Sequence, residues 1–158
     1  MSISLCQSPG SLKRFRRTPW KFQQTFVTPT KNLEPFVATI ISALGPLQAG
    51  TVTIDEVIFE PTHLLALVGT DSPPQFVHGS ELSAVGADET EMLLRAALRD
   101  GIDFAFVPTP KPFALFADHD SFITFYAATK SNLNRVVGPL KRGRFEIVQG
   151  YQRPPGRK

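Results

Sequence analysis

The amino-acid sequence predicts a single-domain α+β protein, a two-layer sandwich with a mixed or antiparallel sheet and about three helices. Its 158 residues, 42% of them hydrophobic, suffice for one domain with a sizeable core. Three segments carry apolar residues at helical spacing, and several others alternate as strands do. Because short turns join some of the strands, those strands must pair antiparallel, and the sheet cannot be purely parallel.

The three predicted helices differ in how clearly they begin and end. In residues 33–44 the apolar side chains recur at i, i+3, i+4 and i+7, and a Gly-Pro pair ends the pattern. Residues 89–99 follow Asp88, which predicts a capped start with acids on the positive end of the helix dipole. The third helix opens at Ser131 and contains Pro139, so we expect it to be short or kinked.

The remaining apolar segments are typical of strands. They are residues 20–27, 52–59, 64–68, 102–106, 113–117, 121–127 and 145–148. Asp118, His119 and Asp120 join two of them as a hairpin, because short carboxylates satisfy the amides of a tight turn. A change of apolar phase at Asp55 and Glu56 predicts a bulge or a break in the strand there. Residues 71–87 match neither pattern, and we expect them to form a long loop.

Charge is distributed unevenly along the chain. Residues 1–30 contain five basic side chains and no acid, residues 31–140 contain six basic and thirteen acidic ones, and residues 141–158 contain six basic and one acidic. The composition therefore predicts disordered basic tails at residues 1–18 and 151–158. An acidic globular domain of residues 19–150 lies between them.

Several classes of protein are excluded by what the sequence lacks. Cys6 is the single cysteine, which excludes intramolecular disulfides and favours a reducing compartment. We expect a cytoplasmic protein without a membrane partner, because no apolar run approaches bilayer length and no secretion signal is evident. The basic cluster within residues 13–17 also resembles part of an organelle transit peptide, so targeting to an organelle stays an alternative. No phosphate-binding glycine loop, nucleophile elbow or metalloprotease motif occurs, so neither a cofactor nor a metal site is predicted.

His119 is the candidate catalytic residue. The flanking carboxylates of Asp118 and Asp120 would raise its pKa and favour a proton-donating imidazolium. A small hydrolase or nuclease-like enzyme could use such a histidine as general acid or base. Successive side chains in a turn diverge, however, so the triplet alone does not predict a metal site.

The first functional prediction is a non-enzymatic protein-binding module, such as an inhibitor, an antitoxin-like protein or an immunity-like protein. An acidic globule attracts a cationic protein partner over long range. The residues predicted to form that surface are Asp71, Glu81, Asp88, Glu89, Asp118 and Asp120. The His119 enzyme is the alternative to this prediction.

Nucleic-acid binding through basic residues is the second alternative, with weak and non-specific contacts. The residues predicted to contact nucleic acid or another anion are Lys13, Arg14, Arg16, Arg17, Lys141, Arg142 and Arg144. Phe104, Phe106, Phe122 and Tyr126 offer a stacking platform in principle. Their charged neighbours are acidic, so packing in the core explains these rings more simply.

Overall fold

The computed structural model describes residues 3–7, 9–69 and 75–152, which form seven strands and five helices. The strands are β1 (Ser4–Gln7), β2 (Phe22–Val27), β3 (Ala49–Glu56), β4 (Ser80–Val85), β5 (Asp103–Thr109), β6 (Ala114–Ala117) and β7 (Phe122–Ala127). The helices are α1 (Pro9–Arg17), α2 (Leu33–Leu44), α3 (Thr62–Val68), α4 (Gly86–Asp100) and α5 (Lys130–Arg142).

All seven strands belong to one sheet in the order β1-β4-β3-β5-β6-β7-β2. Every pair of neighbouring strands is antiparallel. This confirms the α+β class. The prediction allowed a mixed or an antiparallel sheet, and the sheet is antiparallel. The described residues contain five helices rather than about three, because α1 and α3 were not predicted as helices.

The main core lies on one face of the sheet, under α2, α3, α4 and α5. Alternation along the strands selects its members: Phe104 and Phe106 of β5 point into it and are fully buried, whereas Ala105 and Val107 point to the other face. Both phenylalanines are therefore core residues and cannot stack on a nucleic acid, and the core interpretation of the rings is confirmed for this pair.

Helix α1 covers part of the second face, so the protein has three layers instead of the predicted two. Residues 4–7 and 9–17, which composition predicted to lie in a disordered tail, form β1 and α1. Leu12 and Phe15 lie one turn apart on α1 and are buried against the sheet. That apolar pair stabilises the segment, although its overall composition resembles a tail.

Several predicted elements are confirmed. Helix α2 has the predicted bounds, Leu33–Leu44. The hairpin of β6 and β7 turns at Asp118, whose Oδ1 accepts hydrogen bonds from the backbone N–H groups of Asp120 and Phe122 at 2.9 and 3.1 Å. The register of β3 against β5 shifts between Ile54 and Glu56, so of the predicted bulge or break the strand has the bulge.

Other predicted elements are wrong. Residues 64–68 belong to helix α3 rather than to a strand, since a short apolar run cannot distinguish a strand from a helix packed on a core. The predicted loop of residues 71–87 contains β4 and the start of α4. Residues 145–148 make only an isolated bridge, between Ile147 and Phe26.

The remaining helices depart from prediction at particular residues. Helix α4 begins at Gly86, so Asp88 lies within its first turn rather than at the cap. Helix α5 continues through Pro139, which lies in its last turns. The proline removes the donor that the carbonyl of Arg135 would otherwise have within the helix.

Candidate anion-binding cleft

Helix α1 forms one wall of a cleft on the second face of the sheet. Its Phe15 ring packs edge-to-face on Tyr126 with centroids 5.6 Å apart, and lies 6.3 Å from the ring of Phe116. Tyr126 is therefore a packing residue beneath α1 and not an exposed stacking surface. The facing strands are β3, β4 and β5, and the cleft encloses about 560 Å³.

An ion pair anchors this wall to the sheet. The guanidinium of Arg16 lies 2.9 Å from Oδ1 of Asp55, whose side chain is only 1% exposed. Asp55 is the extra residue of the β3 bulge, between Ile54 and Glu56. His78 Nδ1 lies 3.1 Å from the same oxygen. One buried carboxylate thus connects α1, β3 and the segment that precedes β4.

Three cationic side chains line the cleft. Arg14 and Arg17 lie one turn apart on α1, and Lys111 comes from the connection between β5 and β6. All three residues are exposed. Arg14 donates a hydrogen bond to Ser11 Oγ at 2.9 Å. Glu81 is the single acid of the lining, so cations outnumber acids three to one.

Trp20, the only tryptophan of the chain, lines the same cleft. Its Nε1 donates a hydrogen bond to the backbone oxygen of Phe15 at 3.1 Å, which fixes the orientation of the indole. The ammonium of Lys111 lies 5.8 Å from the indole centroid, within cation–π range. An aromatic surface and a cation are therefore neighbours in this cleft.

Two strands supply a polar floor. Thr53 of β3 stands opposite Glu81 of β4 in the ladder, and its Oγ1 donates to Glu81 Oε2 at 3.2 Å. Thr51 lines the cleft two residues before Thr53, on the same face of the strand. The cleft thus combines cations and a ring at its wall with hydroxyls and one carboxylate on its floor.

The structure separates the predicted anion-contacting residues into two groups. Four of them, Lys13, Arg14, Arg16 and Arg17, lie on α1. Lys141 and Arg142 end α5, and Arg144 follows it. Helix α5 packs on the opposite face of the sheet, so these groups do not form one surface. Arg16 is engaged with Asp55.

Lys111 and Trp20 were missed by sequence reasoning. The signal that could have found them is the spacing of Leu12 and Phe15, which predicts that residues near position 15 form a helix with one apolar side. A helix docked on the sheet brings Trp20, which follows it, next to the start of the β5–β6 connection.

His119 lies between the carboxylates of Asp103 and Asp120, and not between those of Asp118 and Asp120 as the sequence suggested. Its Nδ1 is 2.8 Å from Oδ1 of Asp103, which also accepts its backbone N–H at 2.8 Å, and its Nε2 is 3.6 Å from Oδ1 of Asp120. The hydrogen bond with Asp103 raises the pKa of His119 above its ordinary value of 6.5; the charges of Asp103, Asp120 and Asp118 add to this, while burial opposes it. The main partner, Asp103, was not among the predicted neighbours.

The other two histidines repeat this pairing. His63 Nδ1 lies 2.8 Å from Asp100, which also accepts the backbone N–H groups of His63 and Leu64 at the start of α3. His78 pairs with Asp55. Each pair joins an imidazole to a carboxylate on a separate element, and within the described ranges no three His, Cys, Asp or Glu side chains are grouped to hold a metal ion.

The acidic residues predicted to bind a protein partner are dispersed. Asp88 and Glu89 lie in the first turn of α4, which follows the end of β4. Asp118 and Asp120 lie at the β6–β7 turn, at the opposite end of the antiparallel sheet. Glu81 faces the cleft, and Asp71 lies outside the described residues.

Comparisons of this chain with protein-family models, with curated proteins and with solved structures found no match. None of the helices in the described residues is long and apolar enough to cross a membrane.

Proposed function

We propose that this protein is a binding protein for a phosphate-bearing nucleobase, presented by a nucleotide or by single-stranded nucleic acid. The observation that carries the proposal is the arrangement of Arg14, Arg17 and Lys111 around Trp20 in a cleft of about 560 Å³. The proposed class is a non-enzymatic binding module, and α1 supplies two of its three cations.

Each part of the cleft suits one part of such a ligand. Guanidinium and ammonium groups form charge-assisted hydrogen bonds to phosphate oxygens. A tryptophan ring offers a stacking surface to a base, worth about 1–3 kcal/mol per base.

The charges on α1 also favour this ligand class over the cationic protein predicted from composition. The three cations of the cleft would repel a basic partner, and Lys13 adds a further exposed cation on α1. The predicted acidic residues Asp118 and Asp120 lie at one end of the sheet, away from Asp88 and Glu89 at the other. A docking surface for a cation would need them together.

Trp20 supplies the measurement that tests the proposal, because its fluorescence reports on the cleft alone. We expect saturable quenching on titration with mononucleotides or with single-stranded oligonucleotides, and calorimetry should give the same affinity. If the oligonucleotide binds more tightly than every mononucleotide, the ligand is single-stranded nucleic acid. If the affinities are equal, the ligand is a free nucleotide.

Arg14→Gln/Arg17→Gln should weaken binding about tenfold or more, since hydrogen bonds to charged groups contribute about 1.5–3 kcal/mol each. The matched control is Lys141→Gln/Arg142→Gln, which removes the same charge from the opposite face and should leave the affinity unchanged. Equal losses in both variants, or no binding of either ligand class by the original protein, would refute the proposal.

A further inference from the structure

Glu81 lies in a cleft whose other charged side chains are cations. A purely anionic ligand would bind more tightly without this carboxylate, because like charges repel. An acid at this position therefore favours a ligand that brings hydrogen-bond donors as well as negative charge.

Strand pairing determines where the carboxylate stands. β3 and β4 place Thr53 opposite Glu81, and the Thr53 hydroxyl donates to Oε2 at 3.2 Å. An ionised carboxylate has about four lone-pair positions, of which this bond uses one. No ion pair of the described residues involves Glu81, so the three cations of the cleft do not neutralise it by direct contact.

Resting on the proposed nucleotide function, we infer that Glu81 makes the cleft selective for guanine. The Watson–Crick edge of guanine presents two adjacent donors, N1–H and N2–H₂, which match the two oxygens of one carboxylate. In the proposed pose the base stacks on Trp20, this edge faces Glu81 on the floor of the same cleft, and Arg14, Arg17 and Lys111 hold the phosphate. The Thr53 hydroxyl keeps Glu81 oriented for the contact.

The other bases cannot make the same pair of bonds. Adenine and cytosine each present one amino donor beside a ring nitrogen acceptor, and uracil presents one N–H between two carbonyl acceptors. In each case an acceptor lone pair would face the carboxylate. Charge-assisted bonds are about twice as strong as neutral ones, and leaving one unmade against an opposing acceptor is costly. We therefore expect guanine to be favoured about tenfold or more over the other bases.

The first test compares the affinities of GMP, AMP, CMP and UMP at constant ionic strength by calorimetry. Inosine monophosphate is the matched ligand control, because it keeps N1–H and lacks the N2 amino group. We expect GMP to bind about tenfold more tightly than AMP, CMP or UMP, with the inosine nucleotide in between. Since no protein variant is involved, this arm does not depend on the folding of a mutant.

The second test replaces the carboxylate. Glu81→Gln presents one acceptor and one donor, so it should lower the affinity for GMP about tenfold and leave that for AMP unchanged or tighter. Glu60→Gln, an exposed glutamate of the β3–α3 connection, is the control and should keep the preference for GMP.

The outcomes separate the two proposals. If no nucleotide and no oligonucleotide binds, the proposed function fails. If they bind with equal affinity for all bases, or if Glu81→Gln keeps the guanine preference, the function stands and the role assigned to Glu81 is overturned.

Discussion

The guanidinium of Arg16 lies 2.9 Å from the buried carboxylate of Asp55, and this ion pair joins helix α1 to the bulge of strand β3. The same helix carries Arg14 and Arg17 into the cleft. The position of the proposed phosphate contacts therefore depends on an ion pair that does not itself line the cleft.

Removing the cationic partner of Asp55 should destabilise the protein. We expect Arg16→Met to lower the free energy of unfolding by about 3 kcal/mol, because it leaves a buried carboxylate with less compensation. Urea denaturation measures this. The control is Arg99→Met, which removes an exposed pair with Glu34 at 3.6 Å and should cost no more than about 1 kcal/mol. Similar costs for both variants would contradict a structural role for the Arg16 pair.

Phe15 should be needed to hold α1 on the sheet. Phe15→Ala removes a side chain that is 4% exposed and should cost about 3–5 kcal/mol. It should also red-shift the fluorescence of Trp20, which packs on Phe15 with centroids 5.9 Å apart, and expose α1 to trypsin. Phe59→Ala is the comparison, since Phe59 is 57% exposed. An unchanged emission spectrum in Phe15→Ala would contradict the observed docking.

The raised pKa of His119 predicts a pH-dependent contribution to stability. The folded protein holds this proton more tightly than the unfolded chain does, so the pairing stabilises the fold fully below about pH 6.5, the unfolded value. The contribution is lost as the pH rises through the raised folded pKa.

Two measurements check this pH dependence. The difference in unfolding free energy between the original protein and His119→Gln should shrink from about pH 6 to about pH 9. Nuclear magnetic resonance should give a titration midpoint for His119 above 6.5, and Asp103→Asn should lower it, because Asp103 is the main cause of the shift. A midpoint that does not respond to Asp103→Asn would assign the shift to another cause.

Salt should weaken ligand binding in proportion to the phosphates contacted. For a single strand, the slope of log affinity against log salt concentration is about −0.7 per phosphate neutralised. Arg14→Gln/Arg17→Gln should therefore make this slope shallower by about 1.4, the loss of two contacts. A slope that stays the same in the variant would place the phosphate contacts elsewhere.

Two glycines should respond oppositely to alanine. A Cβ on Gly50 would lie 2.5 Å from Thr90 Cγ2 and 3.0 Å from the ring of Phe106, so Gly50→Ala should destabilise by about 1–3 kcal/mol. Gly138 lies within α5, and its added Cβ would meet only the end of the Arg142 side chain at 3.4 Å. Gly138→Ala should stabilise by up to about 1 kcal/mol. Thermal unfolding of both variants measures the difference.

The reliability of the predicted elements depended on how local the responsible interactions are. The apolar spacing of α2 and the turn chemistry at Asp118 are local, and both were predicted within a residue. The prediction of a strand at residues 64–68 was wrong because the packing of Leu64 in the core determines the conformation of this segment. A five-residue apolar run does not show such packing.

The candidate site was predicted only in part. Arg14 and Arg17 were predicted as anion contacts from charge alone, and that stays a prediction, whereas Glu81 was predicted to belong to a different surface. Trp20 and Lys111 were missed because they are 91 residues apart and are brought together only by the docking of α1 and the pairing of β5 with β6. The pairing of His119 with Asp103 likewise joins separate elements.

The amino-acid sequence by itself determined an α+β class, the extent of α2, the β6–β7 turn and the bulge at Asp55, because each follows from residues within a few positions of one another. Tertiary structure alone decided that the basic N-terminal segment is a docked helix and that Glu81 lies among cations. The physical reason is that burial of Leu12 and Phe15 and pairing of Arg16 with Asp55 are long-range interactions, and their free energy is absent from any local pattern.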